Sequence, residues 1–267
     1  MKEFEIKGTV MPGFESVKRL YEHNMRTLAE SNTQLCVYYG EEKVVDLWAS
    51  VTEEPDFSAD SLVNVFSSGK SLEAIAMASL VGRGLISYDA RITDYWPEFG
   101  ANGKEELTVA ELMRHEAGLA VFKVSIEPED LLTENIKKNK VGHIIEAHGQ
   151  TYPRGGERKR EYHAITRGWI VNELFRRVDP TGRTIGEFLR QDISVPLGAD
   201  VFIGLGQEDL GRVKKVALLG VRFQFLESLK PKFLKRRMEF NVFQILGKLI
   251  RLIPAMRRSS VRGAPPP

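Results

Sequence analysis

A single cysteine, Cys36, stands in the 267 residues of this chain, so no internal disulfide can form and nothing calls for an oxidising compartment. No stretch approaches the ~18 uninterrupted apolar residues of a membrane-spanning helix. The opening MKEFEIKGTVMPGFESV lacks the apolar core of a secretory signal and the arginine and serine bias of a transit peptide, which makes a cytoplasmic location the default expectation. Internal repeats are absent, and no glycine-rich loop has nucleotide-binding spacing. Gly82-Arg83-Gly84 follows a helical stretch rather than a strand and reads as punctuation. His143, His148 and His163 show no metal-ligand spacing with carboxylates, and His143 and His148, five apart in a polar region, read as solvated histidines. No metal or organic cofactor is expected.

What is present is globular in composition, 42% hydrophobic and 28% charged, and long enough to bury a sizeable core in one large domain or two small ones. The net charge of +2 hides an asymmetry. Gly211 to Pro267 holds fourteen Lys or Arg against two acids, Glu227 and Glu239, so the remainder of the chain is acidic. Residues 1–210 read as one domain and 211–267 as a basic stretch that is either part of it or a tail. Within that stretch, 230–258 (KPKFLKRRMEFNVFQILGKLIRLIPAMRR) mixes apolar runs with basic residues. It can pack on the acidic body or lie on an anionic membrane surface as an amphipathic helix. Nucleic acid is not expected as a partner, since no aromatic stacking platform or reading helix accompanies the charge.

The chain opens with a helix over roughly 14–29. Two short β-prone runs follow, 34–39 (QLCVYY) and 43–50 (KVVDLWAS), joined through Gly40, Glu41 and Glu42 as a hairpin. Apolar residues at helical spacing then predict a helix over 67–83, with Leu72, Ile75, Ala76, Ser79 and Leu80 on one face. Thr108 and Glu111 form a capping box for a helix over 108–114, and Thr184 and Glu187 one for a helix over 184–193. Another helix is expected over about 162–177. Strands followed by a mostly helical middle predict an α+β fold, with helices packed on a small antiparallel sheet and an all-helical part.

Ser67-Ser68-Gly69-Lys70 is the chemical centre. Residues three apart share a helix face, so the hydroxyl and the amine would be neighbours. Serine needs a base to become a nucleophile, and a lysine can serve where burial and the positive helix N-terminus disfavour its ammonium. The N–H of a serine opening a helix also points outward and can donate to a developing oxyanion. Alone, the spacing is weak: a serine cap followed by a solvated lysine fits it equally well.

The surrounding sequence carries more. NVFSSGKSLEAIAMASLVGRGLISYDARITDYWPEFGANGKEELTVAELMRHEAGL, continued by PRGGERKREYHAITRGWIVNELFRRVDPTGRTIGEFLRQDISVPLGADVFIGL, resembles the serine β-lactamase and penicillin-binding-protein superfamily. The likeness is to the class C β-lactamase and β-lactamase-like esterase branch, over roughly residues 14–205. The resemblance implies a β-lactamase/transpeptidase-like fold with Ser67 as nucleophile and Lys70 as its activating partner. Tyr162, in Tyr162-His163-Ala164, would be the proton relay. Ala164 departs from the family's usual amide, which removes a donor and an acceptor and points to small esters rather than β-lactams. The family's histidine at the place of His115 supports a loop, so His115 is not expected to act as base.

A third family motif, Lys-Thr-Gly or His-x-Gly on an edge strand that donates the second oxyanion N–H, has no convincing copy after Tyr162. The expectation is therefore a chain whose C-terminal sheet strands are missing. With one oxyanion donor instead of two, about 10²–10³ in rate would be lost. Two functions follow: a hydrolase that acts on an ester or amide through an acyl-enzyme, impaired by truncation, or a catalytically inactive binding or scaffold protein that keeps the fold. The sequence leaves the oligomeric state open.

Overall fold

The structure, a computed structural model, describes residues 4–28, 30–51, 56–152, 160–216, 223 and 225. The basic stretch 230–258 lies outside the described residues. The described residues form two compact units: one holds those up to Ser61 and from Lys214 on, the other those within Leu62–Val213.

In the first unit, β1 (Lys7–Val10), α1 (Glu15–Thr27), β2 (Asn32–Tyr39) and β3 (Glu42–Ser50) form an antiparallel sheet of order β1-β3-β2 covered by a helix. The hairpin is tighter than the sequence suggested, because Glu42 already pairs with Tyr39 and only Gly40 and Glu41 turn the chain. Gly40 takes φ +62°, a conformation open to glycine. Val45, Leu47 and Ala49 alternate inward on β3, as the two-residue period requires. Val44 is buried as well, because the register slips between Val37 and Tyr38 and the bulge breaks the alternation. Tyr21 and Met25 of α1 complete this small core, and the Tyr21 hydroxyl lies 2.6 Å from Thr33 Oγ1. The sequence reading missed β1, a short strand containing a glycine. Gly8 is required there, since a Cβ would fall 1.9 Å from the Asp46 carbonyl oxygen.

The second unit is helical: α2 (Lys70–Gly82), α3 (Val109–Met113), α4 (Thr133–Lys137), α5 (Lys140–Ala147), α6 (Thr166–Val178), α7 (Ile185–Phe188) and α8 (Val195–Leu197), with a π-helical turn over Leu189–Ser194. Ala76, Met77 and Leu80 of α2 and Ile170, Val171, Leu174 and Phe175 of α6 are fully buried in one core with Trp96 and Phe99. Ile75, expected on the core face, is exposed. Both capping boxes form: Glu111 N–H donates to Thr108 Oγ1 at 3.2 Å and Glu187 N–H to Thr184 Oγ1 at 3.3 Å, with each glutamate reaching back to the cap N–H. Lys104 is buried. Its amine donates to the carbonyls of Ala101 (2.6 Å), Glu146 (3.1 Å) and His148, and burial lowers its pKa to about 8.

Two corrections bear on the site. The helix expected from residue 67 begins as a 3-10 turn, Phe66–Gly69, and becomes α-helical only at Lys70. The helix expected from residue 162 begins at Thr166, so Tyr162 stands on the non-helical lead-in.

Candidate active site

The turn that carries Ser67 is set from its N-terminal side. Asn64 Oδ1 accepts the Phe66 N–H at 2.7 Å, and Phe66 adopts φ +47°, uncommon for a residue with a side chain. In a 3-10 turn residues three apart eclipse one another. Ser67 and Lys70 therefore stack, with Lys70 Nζ 3.3 Å from Ser67 Oγ. The hydroxyl is exposed and the lysine half-buried.

Ninety-odd residues later the chain returns to the same spot. Three hydrogen bonds fix the lead-in to α6 on the loop after α3. Glu161 N–H donates to the His115 carbonyl at 3.0 Å, His163 N–H donates to His115 Nδ1 at 3.0 Å, and Leu119 N–H donates to His163 Nε2 at 2.9 Å. His163 is fully buried, and its Nδ1 donates to the Glu161 carbonyl at 2.6 Å. Tyr162, between these anchors, packs its ring against that of His115 at 4.9 Å and lies 5.1 Å from Lys70 Nζ. The Ser67 hydroxyl, and then the Lys70 amine, hold the Tyr162 phenol below the ordinary tyrosine range. Lys70 Nζ also donates to the Ala164 carbonyl at 2.6 Å. The residue whose side chain departs from the family pattern thus contributes through its backbone. Ser67, Lys70 and Tyr162 are brought together.

Burial, and then the Arg167 guanidinium, lower the pKa of His115 to about 4. Its Nδ1 already accepts the His163 N–H, so it stays neutral in a supporting position. Burial likewise pushes His163 down. The reading of His143 and His148 as solvated holds for His143, which is exposed, and fails for His148, which like His163 is bonded into the fold. His148 accepts the Lys123 N–H at its Nε2 (2.8 Å), and its Nδ1 donates to the Ile144 carbonyl (2.8 Å). Both are polar staples between loops, which composition and spacing cannot distinguish from solvated rings. Sequence reasoning also missed Glu73 and Arg167. Their carboxylate and guanidinium pair at 3.0 Å with both side chains largely buried, and nothing in the chain's local pattern links positions so far apart.

Beside Lys70 a cleft of about 760 Å³ opens between the turn region and residues 200–205, with Val63, Phe66, Leu72, Phe202, Ile203 and Leu205 among its apolar walls. Among the described residues no group of three His, Cys, Asp or Glu side chains is placed to hold a metal ion, and no helix is long and apolar enough to cross a membrane.

Comparison with known proteins matches residues 17–217 to the family model described as beta-lactamase. The esterase/beta-lactamase LipL of Mycobacterium tuberculosis is 34% identical over 196 residues, 72% of this chain and 43% of that protein. A penicillin-binding protein homologue from Caulobacter crescentus superposes with a TM-score of 0.69 at 32% identity, over 80% of this chain and 56% of the other. A family VIII carboxylesterase superposes with a TM-score of 0.68 at 31% identity, over 78% and 56%. The fold is therefore of the β-lactamase/transpeptidase type, and the chain spans about half the length of these relatives.

Proposed function

We propose that this chain, which belongs to the beta-lactamase family, is a serine hydrolase acting on small esters through an acyl-enzyme. One observation carries the reading: Ser67 Oγ lies 3.3 Å from Lys70 Nζ, with the Tyr162 phenol engaged by both groups. Ser67 Oγ attacks the ester carbonyl while its proton passes to Lys70. The N–H of Ser67, at the opening of its turn, is the donor this segment offers to the oxyanion. Tyr162, which faces hydroxyl and amine alike, hands the proton to the departing alcohol. The tetrahedral intermediate then collapses to an acyl-Ser67 ester. Water, deprotonated by the same groups, attacks that ester and returns the hydrolysed acid and free Ser67.

Esters are favoured over β-lactams because Ala164 supplies no side-chain amide to hold one. Apolar groups are favoured by the cleft beside Lys70. The name of the family VIII carboxylesterase points the same way, and that of LipL pairs esterase with beta-lactamase. Steady-state hydrolysis of p-nitrophenyl acetate, butyrate and octanoate, against a chromogenic cephalosporin, tests the reading. Ester turnover that disappears in Ser67→Ala is expected. Turnover that persists in Ser67→Ala, or its absence from folded wild-type protein, overturns it.

A further inference from the structure

Arg167 sits in the first turn of α6 with its guanidinium almost fully buried. Four groups from two other segments, residues 70–73 and 113–115, converge on it. Its Nη2 and Nε donate to Glu73 Oε2 at 3.0 and 3.2 Å, and Nη2 also donates to the Lys70 carbonyl at 3.1 Å. Its Nη1 donates to the Met113 carbonyl at 3.2 Å and lies 3.3 Å from His115 Nε2. Room for the carboxylate comes from Gly168, where a Cβ would fall 2.8 Å from Glu73 Oε1.

These contacts reach both arms of the site. One prong holds the backbone of Lys70, the residue at which the 3-10 turn gives way to α2. The other abuts His115, whose Nδ1 accepts the His163 N–H and whose ring packs on Tyr162. We infer that Arg167 is a positioning residue: its buried fork, fixed by Glu73, sets the phenol of Tyr162 beside the Ser67–Lys70 pair. It touches none of the reacting atoms and acts through Lys70 and His115. A planar guanidinium can donate to the carboxylate and both carbonyls together while lying against the ring, whereas a lysine ammonium at this place would carry the charge without the fork. The catalytic consequence rests on the hydrolase reading, while the geometry does not.

The test therefore reads Tyr162 itself. Tyrosinate absorbance at 295 nm is titrated in full-length wild-type protein, Arg167→Lys and the double variant Glu73→Gln/Arg167→Met, each against its own Tyr162→Phe counterpart. The double variant leaves no lone buried charge, so it guards against loss of the fold, which far-UV circular dichroism verifies. The groups that face the phenol are Ser67, Lys70, His115 and Arg167, and all but Arg167 are kept in every variant. The wild-type phenol is expected to titrate below an ordinary tyrosine, and in both variants to move up toward the ordinary range. A phenol that titrates in Arg167→Lys, where the charge is kept and only the fork is lost, as it does in wild type overturns the inference, whatever the double variant does. Ester turnover is measured alongside, with kcat expected to fall at least tenfold and KM to change less than threefold. Should wild type show no Ser67-dependent turnover, the hydrolase reading falls while the phenol titration still decides the role of Arg167.

Discussion

The two arms of the site are built by different physics. The Ser67–Lys70 arm is local: three residues of separation and one 3-10 turn bring hydroxyl and amine to 3.3 Å. The Tyr162 arm is assembled at long range, through Arg167, His115, His163 and the backbone of Glu161, from segments dozens of residues apart. The local arm takes its spacing from its own turn and is tied to the rest of the fold at Lys70, whose amine donates to the Ala164 carbonyl and whose carbonyl accepts from Arg167. An arm held by buried polar staples depends on each of them, because an unmet buried donor or acceptor is costly.

Variants on the two arms sharpen that contrast. Lys70→Met strikes the local arm and leaves Ser67 without its base, so ester kcat should fall by about 10²–10⁴, the usual worth of a positioned proton acceptor. Tyr162→Phe keeps the ring on His115 and removes only the phenol. A loss of about 10² in kcat is expected, with the melting temperature close to wild type. If Tyr162→Phe costs as much as Lys70→Met, the two groups form one inseparable unit and the distinction between arms fails.

His163→Ala should differ from Tyr162→Phe in costing stability as well as turnover. It strands the Leu119 N–H and opens a void at a fully buried ring, which costs about 1–3 kcal/mol of unfolding free energy in denaturant titration. Ester turnover should fall too, since the lead-in that carries Tyr162 loses its anchor. The Ser67–Lys70 spacing should not change.

Acid should expose the long-range arm as well. The native His115 resists protonation until about pH 4, whereas the unfolded chain takes up that proton near 6.5. Between those values the unfolded state binds more protons, so stability is lost as pH falls through that window. Chemical denaturation at pH 7, 6, 5 and 4 should show this loss, with a shallower slope in His115→Phe. The smallest effect is expected at Ala164. Ala164→Asn restores an amide beside the carbonyl that already holds Lys70, and one added hydrogen bond of about 1 kcal/mol would raise β-lactam turnover by no more than about fivefold.

The same division governs what could be read from the chain. The hairpin, both capping boxes and the Ser67–Lys70 pair are encoded by residues within a few positions of each other, and all appear in the structure. Tyr162 was legible only through resemblance to a family, because no spacing joins it to Ser67. Glu73 and Arg167 lie within the segments that carry the resemblance but in none of the motifs read from it, and so they were missed. The helix starts were misjudged for a related reason. Neither start has a cap that sequence could read: the backbone N–H groups of Glu161 and His163 bond to His115 instead of opening a helix, and Phe66–Gly69 tightens into a 3-10 turn. The histidines show the limit most plainly: His143 and His148 look alike in sequence, yet one is exposed and the other bonds two backbone groups.

The central claim is that the Ser67 hydroxyl is a nucleophile, and covalent capture tests it most directly. Wild-type protein and Ser67→Ala are treated with a fluorophosphonate and examined by intact-protein and peptide mass spectrometry. One adduct per chain, on the peptide carrying Ser67 and absent from Ser67→Ala, is the result predicted. Folded wild-type protein that takes up no adduct, or an equal adduct on Ser67→Ala, would contradict it.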